Sequence, residues 1–326
     1  MSRMLSTLSK FGVVVLALGT AAVMAQAQYP NRPVRIVVPY GPGSGTDILA
    51  RTLAEPLGQA LGQPIVVENK AGANSMLGTD IVAKAAPDGY TLGLATNAGL
   101  AASPGGLSQS VPYDAERDLA YITRVASVSF VLLVNNKLAV NSPRELIDYV
   151  KANPGKLSYA SGNTGGIAYM GYLKRAYELD ITHVPYKSTP SALVDLMSGQ
   201  VEVMMADVAS STPRIRAGQL KALGVAADQR SPLLPEVPTL DESGVANVPD
   251  MSGWWALVGP AGMPAGIADR LNREFVEILG REDVREKMLR SGLVATPSTR
   301  EQAARYQQDQ LEVWSALVRD LGLQAQ

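Results

Sequence analysis

The chain has 326 residues, a length typical of two domains, and its formal net charge is −1. It contains no cysteine, which excludes disulfides, a zinc–thiolate site and a thiol nucleophile. Aromatic residues make up only 6% of the chain and no long run of Lys or Arg occurs. The sequence therefore lacks the basic, base-stacking surface that nucleic-acid binders use.

The first 27 residues have the pattern of a secretory signal peptide. Arg3 and Lys10 make a positive start, residues 11–24 are apolar, and the small residues Ala25 and Ala27 fit a cleavage site after Ala27. An uncleaved membrane anchor is the alternative, but an apolar run of about 14 residues is short for a membrane span. Without cysteine the mature chain cannot carry a lipid anchor. We therefore expect a freely soluble, exported protein.

From residue 34 onward, short apolar strands alternate with helical patterns. Strands are predicted over 34–38, 64–68 and 91–95. The first helix carries leucines at every fourth position, and Pro56 inside it is expected to kink or split it. This alternation predicts a parallel sheet with helices on both faces. The leucines are Leu49, Leu53, Leu57 and Leu61, and a further helix is predicted over 79–86.

A strand over 128–134 leads away from this set and begins a second one. Ser142 as N-cap, followed by Pro143 and Glu145, predicts the start of a helix. The Pro-rich segment 232–249 has little periodicity and is interpreted as a return connection. Further strands are predicted over 156–160, 182–185, 201–205, 220–225 and 254–258, and closing helices over 265–279, 282–290 and 299–321.

The two sets of elements predict two α/β domains joined by a hinge that the chain crosses twice. Residues 28–131 together with 252–326 form the expected domain 1, and residues 132–251 form domain 2. The signal peptide covers 1–27. A cleft between two such domains closes around a ligand when a few hinge residues bend.

The loop from Tyr40 to Asp47 joins the first strand to a helix. Sheets of this class bind ligands at that edge, and the amides and dipole of a helix N-terminus attract anions. A plain glycine-rich turn with Thr46 as N-cap is the alternative. Asp47 could favour the helix dipole, fix the loop by accepting backbone amide hydrogens, or meet an ammonium group of a ligand. Because a bare carboxylate would repel an anion, we favour the loop-fixing role. The candidate anion-binding residues are Tyr40, Gly43, Ser44, Gly45, Thr46 and Asp47.

A similar loop over 160–166 joins a strand to a helix in the second domain. Two such loops, facing each other across the cleft, could hold the two ends of one small anion. Its candidate residues are Ser161, Gly162, Asn163 and Thr164. Four more residues follow strands and could either face the cleft or serve as turn and surface residues: Thr96, Asn97, Lys187 and Asp207.

Catalytic patterns are missing from the sequence. No serine lies in a Gly-x-Ser-x-Gly elbow, and the acidic residues do not have the spacing of a calcium loop. The single histidine, His183, lies in a predicted strand, which favours a structural role. We therefore expect no catalysis, no metal and no organic cofactor; an exported hydrolase is kept as an alternative.

Several long stretches resemble the Bug-type, or tripartite tricarboxylate transporter, substrate-binding family. The resemblance implies a type II periplasmic-binding-protein fold and a periplasmic solute receptor that binds a small carboxylate-bearing anion. It also implies delivery of that ligand to a membrane permease; a ligand-dependent partner of a membrane sensor is the alternative. We expect the receptor to be a monomer. The matching stretches are 29–51, 61–92, 111–119, 151–163, 183–207, 230–244 and 259–272.

The resemblance places ligand contacts on the two loops described above and on Pro185, Tyr186 and Lys187. The chain departs from the family pattern at three places in the expected pocket. Ser44 separates Gly43 from Gly45, Tyr169-Met170 stands where many members have His-Leu, and Ser103-Pro104 replaces Asn-Pro. Tyr169 would offer a hydroxyl where an imidazole is usual, so no particular ligand of the family is carried over.

Overall fold

The computed structural model describes residues 29–186 and 189–322. The predicted signal peptide and Lys187 lie outside the described residues. Within the described ranges, no helix is both long and apolar enough to cross a membrane. Eleven strands occur there: β1 (Val34–Val38), β2 (Ile65–Asn69), β3 (Thr91–Thr96), β4 (Leu119–Val128), β5 (Phe130–Asn135), β6 (Ser158–Ser161), β7 (Thr182–Pro185), β8 (Val203–Asp207), β9 (Leu220–Ala226), β10 (Gly253–Pro260) and β11 (Val294–Ala295).

Nine α-helices and one π-helix pack against these strands in the described part of the chain. The π-helix spans Ala98–Leu107, in a segment for which the sequence predicts no helix. The α-helices are α1 (Gly45–Leu61), α2 (Met76–Ala83), α3 (Pro143–Ala152), α4 (Thr164–Ala176), α5 (Thr189–Ser198), α6 (Val208–Arg216), α7 (Ala265–Gly280), α8 (Glu282–Arg290) and α9 (Arg300–Leu321).

The first sheet has the strand order β11-β4-β10-β3-β1-β2. Strand β1 pairs in parallel with β2 and β3, whereas β10 runs antiparallel to its neighbours β3 and β4. The predicted parallel pairing is confirmed for β1, β2 and β3, but the sheet as a whole is mixed, because the later strands β10 and β11 pair antiparallel to their neighbours. The reason is that β10 is the return strand. Strand β4 carries the chain toward the crossing and β10 carries it back, so the two strands run in opposite directions.

The second sheet has the strand order β7-β6-β8-β5-β9. Strands β6, β7 and β8 are mutually parallel, and β5 is antiparallel to β8 and β9. The sheet is mixed for the same reason as the first one: β5 carries the chain away from the crossing, while its neighbours run back toward it.

The predicted strand over 128–134 is in fact two strands. It breaks at Ser129, where β4 of the first sheet ends and β5 of the second begins. Val128 and Phe130 on either side are both buried and apolar, so the hydrophobic pattern does not reveal the break. The chain returns between Ala226 and Gly253. Two α/β units joined by two crossings are thus confirmed. The predicted domain limits stay a prediction, and Phe130 and Val131 pair within the second sheet.

The register of the strands places several carboxyl ends at the crossings. In the first sheet, Trp255 and Gly253 at the start of β10 pair with Thr96 and Val128 at the ends of β3 and β4. In the second sheet, Phe130 at the start of β5 pairs with both Asp207 and Ala226. Since β1 and β2 are parallel to β3, and β6 and β7 to β8, the loops that follow all these strands lie on the two edges that meet at the crossings.

Helix α1 runs unbroken from Gly45 to Leu61 in spite of Pro56, so the predicted split is wrong. Its leucine face is buried in the core that it forms with β1 and α7. This packing offsets the intrahelical hydrogen bond that Pro56 cannot donate. The helix therefore presents a single, well-anchored N-terminus at the edge of the first sheet.

Candidate functional site

The first candidate loop is held by the carboxylate of Asp47, which is only 3% exposed. Its Oδ2 accepts a hydrogen bond from the Gly43 amide at 2.9 Å, and its oxygens also accept from Arg51 Nε at 3.0 Å and from Asn69 Nδ2 at 3.0 Å. Asn69 Nδ2 further donates to the Tyr40 carbonyl at 2.9 Å. The expectation that Asp47 fixes the loop is confirmed by these contacts.

The same contacts keep Asp47 ionised. The Arg51 guanidinium, followed by the Gly43 amide, lowers the pKa of Asp47 from 3.8 to about 2. The negative charge is therefore neutralised locally by Arg51, and it does not oppose an anion at the N-terminus of α1 as an unpaired carboxylate would.

The N-cap of α1 is Ser44, not Thr46 as the alternative interpretation of the loop assumed. The Ser44 hydroxyl accepts the Asp47 amide at 3.2 Å. Thr46 instead accepts the indole N–H of Trp255 at 2.8 Å. The loop is thus tied on one side to β2 through Asn69 and on the other to the return strand β10.

The three glycines of this loop differ in backbone conformation. Gly43 has a φ of +80°, a conformation that an L side chain rarely adopts. Gly41 and Gly45 have ordinary φ values, and a Cβ built on either one meets no atom within 4 Å. The backbone at Gly41 and Gly45 therefore borders open space.

The second candidate loop repeats this construction. Asn163 caps α4 by accepting the Gly166 amide at 2.9 Å, and its Nδ2 donates to Thr189 Oγ1 at 3.0 Å. A Cβ on Gly165 would lie 2.3 Å from the Phe130 ring, and a Cβ on Gly166 would lie 2.6 Å from the Met205 carbonyl. These two glycines thus allow α4 to pack closely against the crossing strand and β8.

Ser161, at the end of β6, is bonded to the single histidine of the chain. Its Oγ lies 2.6 Å from His183 Nε2, and the imidazole stacks on Tyr159 with 4.7 Å between ring centroids. Burial, and to a lesser degree Lys174, lowers the pKa of His183. The expectation of a structural, hydrogen-bonded histidine is confirmed, and the ring orients one of the predicted site residues.

Thr96 and Asn97 lie where β3 ends, beside a backbone turn that the sequence analysis did not single out. Thr96 is buried and its hydroxyl donates to Ser75 Oγ at 3.3 Å. Asn97 is half-buried and immediately precedes the π-helix as its N-cap residue. Ala73, Asn74 and Ser75 all have positive φ, at 46°, 49° and 74°, which is costly for residues other than glycine. This strained turn, just before α2, borders the same edge as the first loop.

Three other predicted residues already have intramolecular partners. The Tyr169 hydroxyl accepts the Met251 amide at 3.0 Å in the return segment, and burial raises the pKa of Tyr169. Tyr186 donates to Asp195 Oδ2 at 2.7 Å; burial, followed by this carboxylate, raises the pKa of Tyr186 to about 12. Asp207 caps α6 by accepting the Ser210 amide at 2.8 Å. Tyr169 therefore packs against the return segment. A ligand contact for these three residues stays a prediction.

Each of the two loops contacts a strand that begins at a crossing between the sheets. Trp255, just inside β10, binds Thr46 at the N-terminus of α1, and Phe130, the first residue of β5, fills the space left by Gly165 at the N-terminus of α4. The N-terminus of α1 therefore adjoins β10, and the N-terminus of α4 adjoins β5. Sequence reasoning missed Trp255 and Asn69, because their roles depend on contacts with distant residues.

Comparison with known proteins places this architecture in a family. The family model described as "Tripartite tricarboxylate transporter family receptor" matches residues 49–323. The chain is similar to Protein BugT of Bordetella pertussis, with 35% identity over 326 residues that cover 99% of this chain and 98% of BugT.

Solved structures show the same likeness. The periplasmic binding protein BugD is 32% identical, covers 91% of this chain and 100% of its own, and has a TM-score of 0.73. An R. palustris protein solved with adipate is 29% identical, covers 90% of this chain and 98% of its own, and has a TM-score of 0.77. The chain therefore belongs to the tripartite tricarboxylate transporter receptor family and has its two-domain periplasmic-binding fold.

Proposed function

We propose that the chain is a periplasmic solute receptor that binds a small carboxylate-bearing molecule between its two capped loops, without catalysis. The observation that supports this proposal is that the N-termini of α1 and α4 each lie beside a strand that begins at a crossing: Trp255 of β10 binds Thr46, and Phe130 of β5 packs on Gly165. Helix N-termini present amide donors and a partial positive charge, so a cleft between two of them favours an anion with two acceptor groups.

The capping pattern indicates which backbone groups would meet the ligand. In each helix the cap side chain takes the amide of the third helical residue, Asp47 in α1 and Gly166 in α4. The first two amides of an α-helix have no carbonyl partner within the helix. The amides of Gly45 and Thr46 on one side, and of Thr164 and Gly165 on the other, are therefore the proposed donors to carboxylate oxygens.

The ligand class is supported by a relative. A protein 29% identical to this chain has been solved with adipate, a dicarboxylate. Two carboxylates joined by a short carbon chain match two donor sets on opposite sides of a cleft. Adipate is therefore the first probe, and the specific ligand is to be found among similar acids.

A thermal-shift screen of the mature protein, unfolded and refolded to remove any carried ligand, tests this proposal. The panel contains adipate with other mono-, di- and tricarboxylates, aromatic acids and acidic amino acids. A ligand at a hundred times its Kd should stabilise the fold by about 2.7 kcal/mol, which raises the Tm by several degrees. The diamide of the best acid is the matched control, because it keeps the carbon chain and loses both charges. Stabilisation by neutral or cationic compounds and by no acid would contradict the proposal.

We further propose that the loaded receptor delivers its ligand to a membrane permease of the tripartite tricarboxylate type. Family membership supports this step, since the family description names the transporter. Uptake of labelled ligand by proteoliposomes that contain the permease should require the receptor. Ligand-dependent capture of a sensor domain, without any stimulation of uptake, would instead favour a signalling role.

N-terminal sequencing of exported protein should give Gln28 as the first residue if cleavage follows Ala27.

A further inference from the structure

Trp255 differs from the other tryptophans in its position. Trp254 and Trp314 are fully buried, whereas Trp255 is half-buried at the start of the return strand β10. Its neighbours in the sheet are Thr96 at the end of β3 and Ala126 in β4. Because its indole nitrogen bonds Thr46, the ring lies beside the N-terminus of α1 and the first candidate loop.

The indole nitrogen of Trp255 determines how Thr46 can bond. An indole N–H donates and cannot accept, so in the 2.8 Å contact the Thr46 oxygen is the acceptor. The single hydrogen of the Thr46 hydroxyl then points away from Trp255. Thr46 is 3% exposed and is the second residue of α1, next to the Gly45 amide. A buried hydroxyl in this position is a ready donor to an anion seated at the helix N-terminus.

We propose that Trp255 is a positioning residue that fixes the Thr46 hydroxyl as a donor to the ligand carboxylate, while its ring forms an apolar wall for the ligand's carbon chain. This inference rests on the proposed carboxylate-binding function and deepens it. It restricts the ligand class to carboxylates whose carbon chain is largely apolar. Hydroxylated chains lose hydrogen bonds to water against an aromatic face and gain none in return.

Binding measured by calorimetry on four variants tests the positioning role. Trp255→Phe keeps an apolar ring and loses the N–H, so the affinity for adipate, or for the best acid of the panel, should fall about five- to tenfold. Thr46→Val should lower the affinity by about the same factor, whereas Thr46→Ser, which keeps the hydroxyl, should retain most of the wild-type affinity. The double variant Trp255→Phe/Thr46→Val should bind no more weakly than Thr46→Val alone, because the two residues act through one hydrogen bond. Additive losses in this cycle would overturn the positioning role.

Fluorescence gives a readout that a purely structural role would not change. Ligand should alter the emission of the wild type through Trp255, while Trp255→Phe, which keeps Trp254 and Trp314, should lose the ligand-induced change. For the apolar wall, adipate should bind more tightly than its tetrahydroxy analogue galactarate, which has the same chain length and both carboxylates. Preference for galactarate, or full binding by Trp255→Phe, would overturn the inference and leave the receptor function intact. Failure of every acid to bind would overturn both.

Discussion

At the scale of single residues, Asp47 shows how one carboxylate can organise a binding loop. It is buried and accepts from Gly43, Arg51 and Asn69. We expect Asp47→Asn to lower the free energy of unfolding by about 1.5–3 kcal/mol, because an amide cannot accept all three hydrogen bonds. Asp148 is the control: it also pairs with an arginine four residues away, Arg144, in the reverse order, but its side chain is 58% exposed. Asp148→Asn should cost less than about 0.5 kcal/mol in urea denaturation.

The stability of the wild type should also depend on pH through Asp47. The pKa of its carboxyl falls from 3.8 to about 2 on folding. Its contribution is therefore fully present above about pH 4 and is lost as the pH falls toward about 2. Urea midpoints measured between pH 5 and about 3 should fall less steeply for Asp47→Asn than for the wild type. Equal slopes would show that Asp47 is not held ionised by its partners.

The distance of a partner along the chain decides what the sequence reveals at this scale. The role of Asp47 toward Gly43 is local, with a separation of 4 residues, and it was predicted from the chemistry of the loop. Asn69 bonds Asp47 from 22 residues away, and Trp255 bonds Thr46 from 209 residues away. Neither contact has a signature in the pattern of the sequence, because both arise only when β2 and β10 join the sheet.

At the scale of elements, the N-terminus of α1 offers a direct test of where the proposed ligand binds. A Cβ on Gly45 meets no neighbouring atom and its φ is ordinary. Gly45→Ala should therefore stabilise the ligand-free protein slightly, by about 0.5 kcal/mol, since it restricts the unfolded chain. The same methyl group should weaken carboxylate binding about tenfold, because it occupies the space into which the anion fits.

Gly266 provides the control for this variant. It lies in the first turn of α7, and a Cβ there also meets no neighbouring atom. Gly266→Ala should give a similar small rise in Tm with unchanged affinity by calorimetry. Gly43 is unsuitable for this purpose, since its positive φ would combine loop strain with any loss of binding. If Gly45→Ala binds as the wild type does, the anion does not approach the first turn of α1.

Elements with local signals were predicted well, and those that depend on tertiary structure were not. The cap of α3 by Ser142 and the strands β1, β3 and β7 follow from local pattern. The break at Ser129 was missed because apolar residues continue across it. The mixed character of both sheets was missed because strand direction depends on where the chain enters each sheet. The candidate loops were found because glycine-rich strand-to-helix connections are local.

At the scale of the whole molecule, the two units are in contact beside the crossing. The Val208 amide donates to the Ser129 carbonyl at 2.9 Å. Ala209, next in α6, packs so closely on Gly292 that a Cβ on Gly292 would lie 2.1 Å from the Ala209 Cβ. The chain passes between the units only at the two crossings, so a few residues there can act as a hinge. We expect saturating ligand to reduce the radius of gyration in small-angle scattering, because the two loops close on one anion.

The diamide control should leave the scattering curve unchanged. An unchanged radius of gyration with a saturating acid, at a concentration that raises the Tm, would show that binding occurs without closure. That result would separate ligand binding from the two-unit rotation, since the first depends on the capped loops and the second on the crossing.

The position of β10 in the first sheet also has a consequence for how the protein is made. All five strands of the second sheet lie between Phe130 and Ala226, so that sheet is complete once this continuous segment has emerged. The first sheet lacks a central strand until Gly253–Pro260 has been added between β3 and β4. During synthesis and export, β3 and β4 thus have open edges that can pair with other chains. We therefore expect the second sheet to form first and the first sheet, which contains β1, to close last.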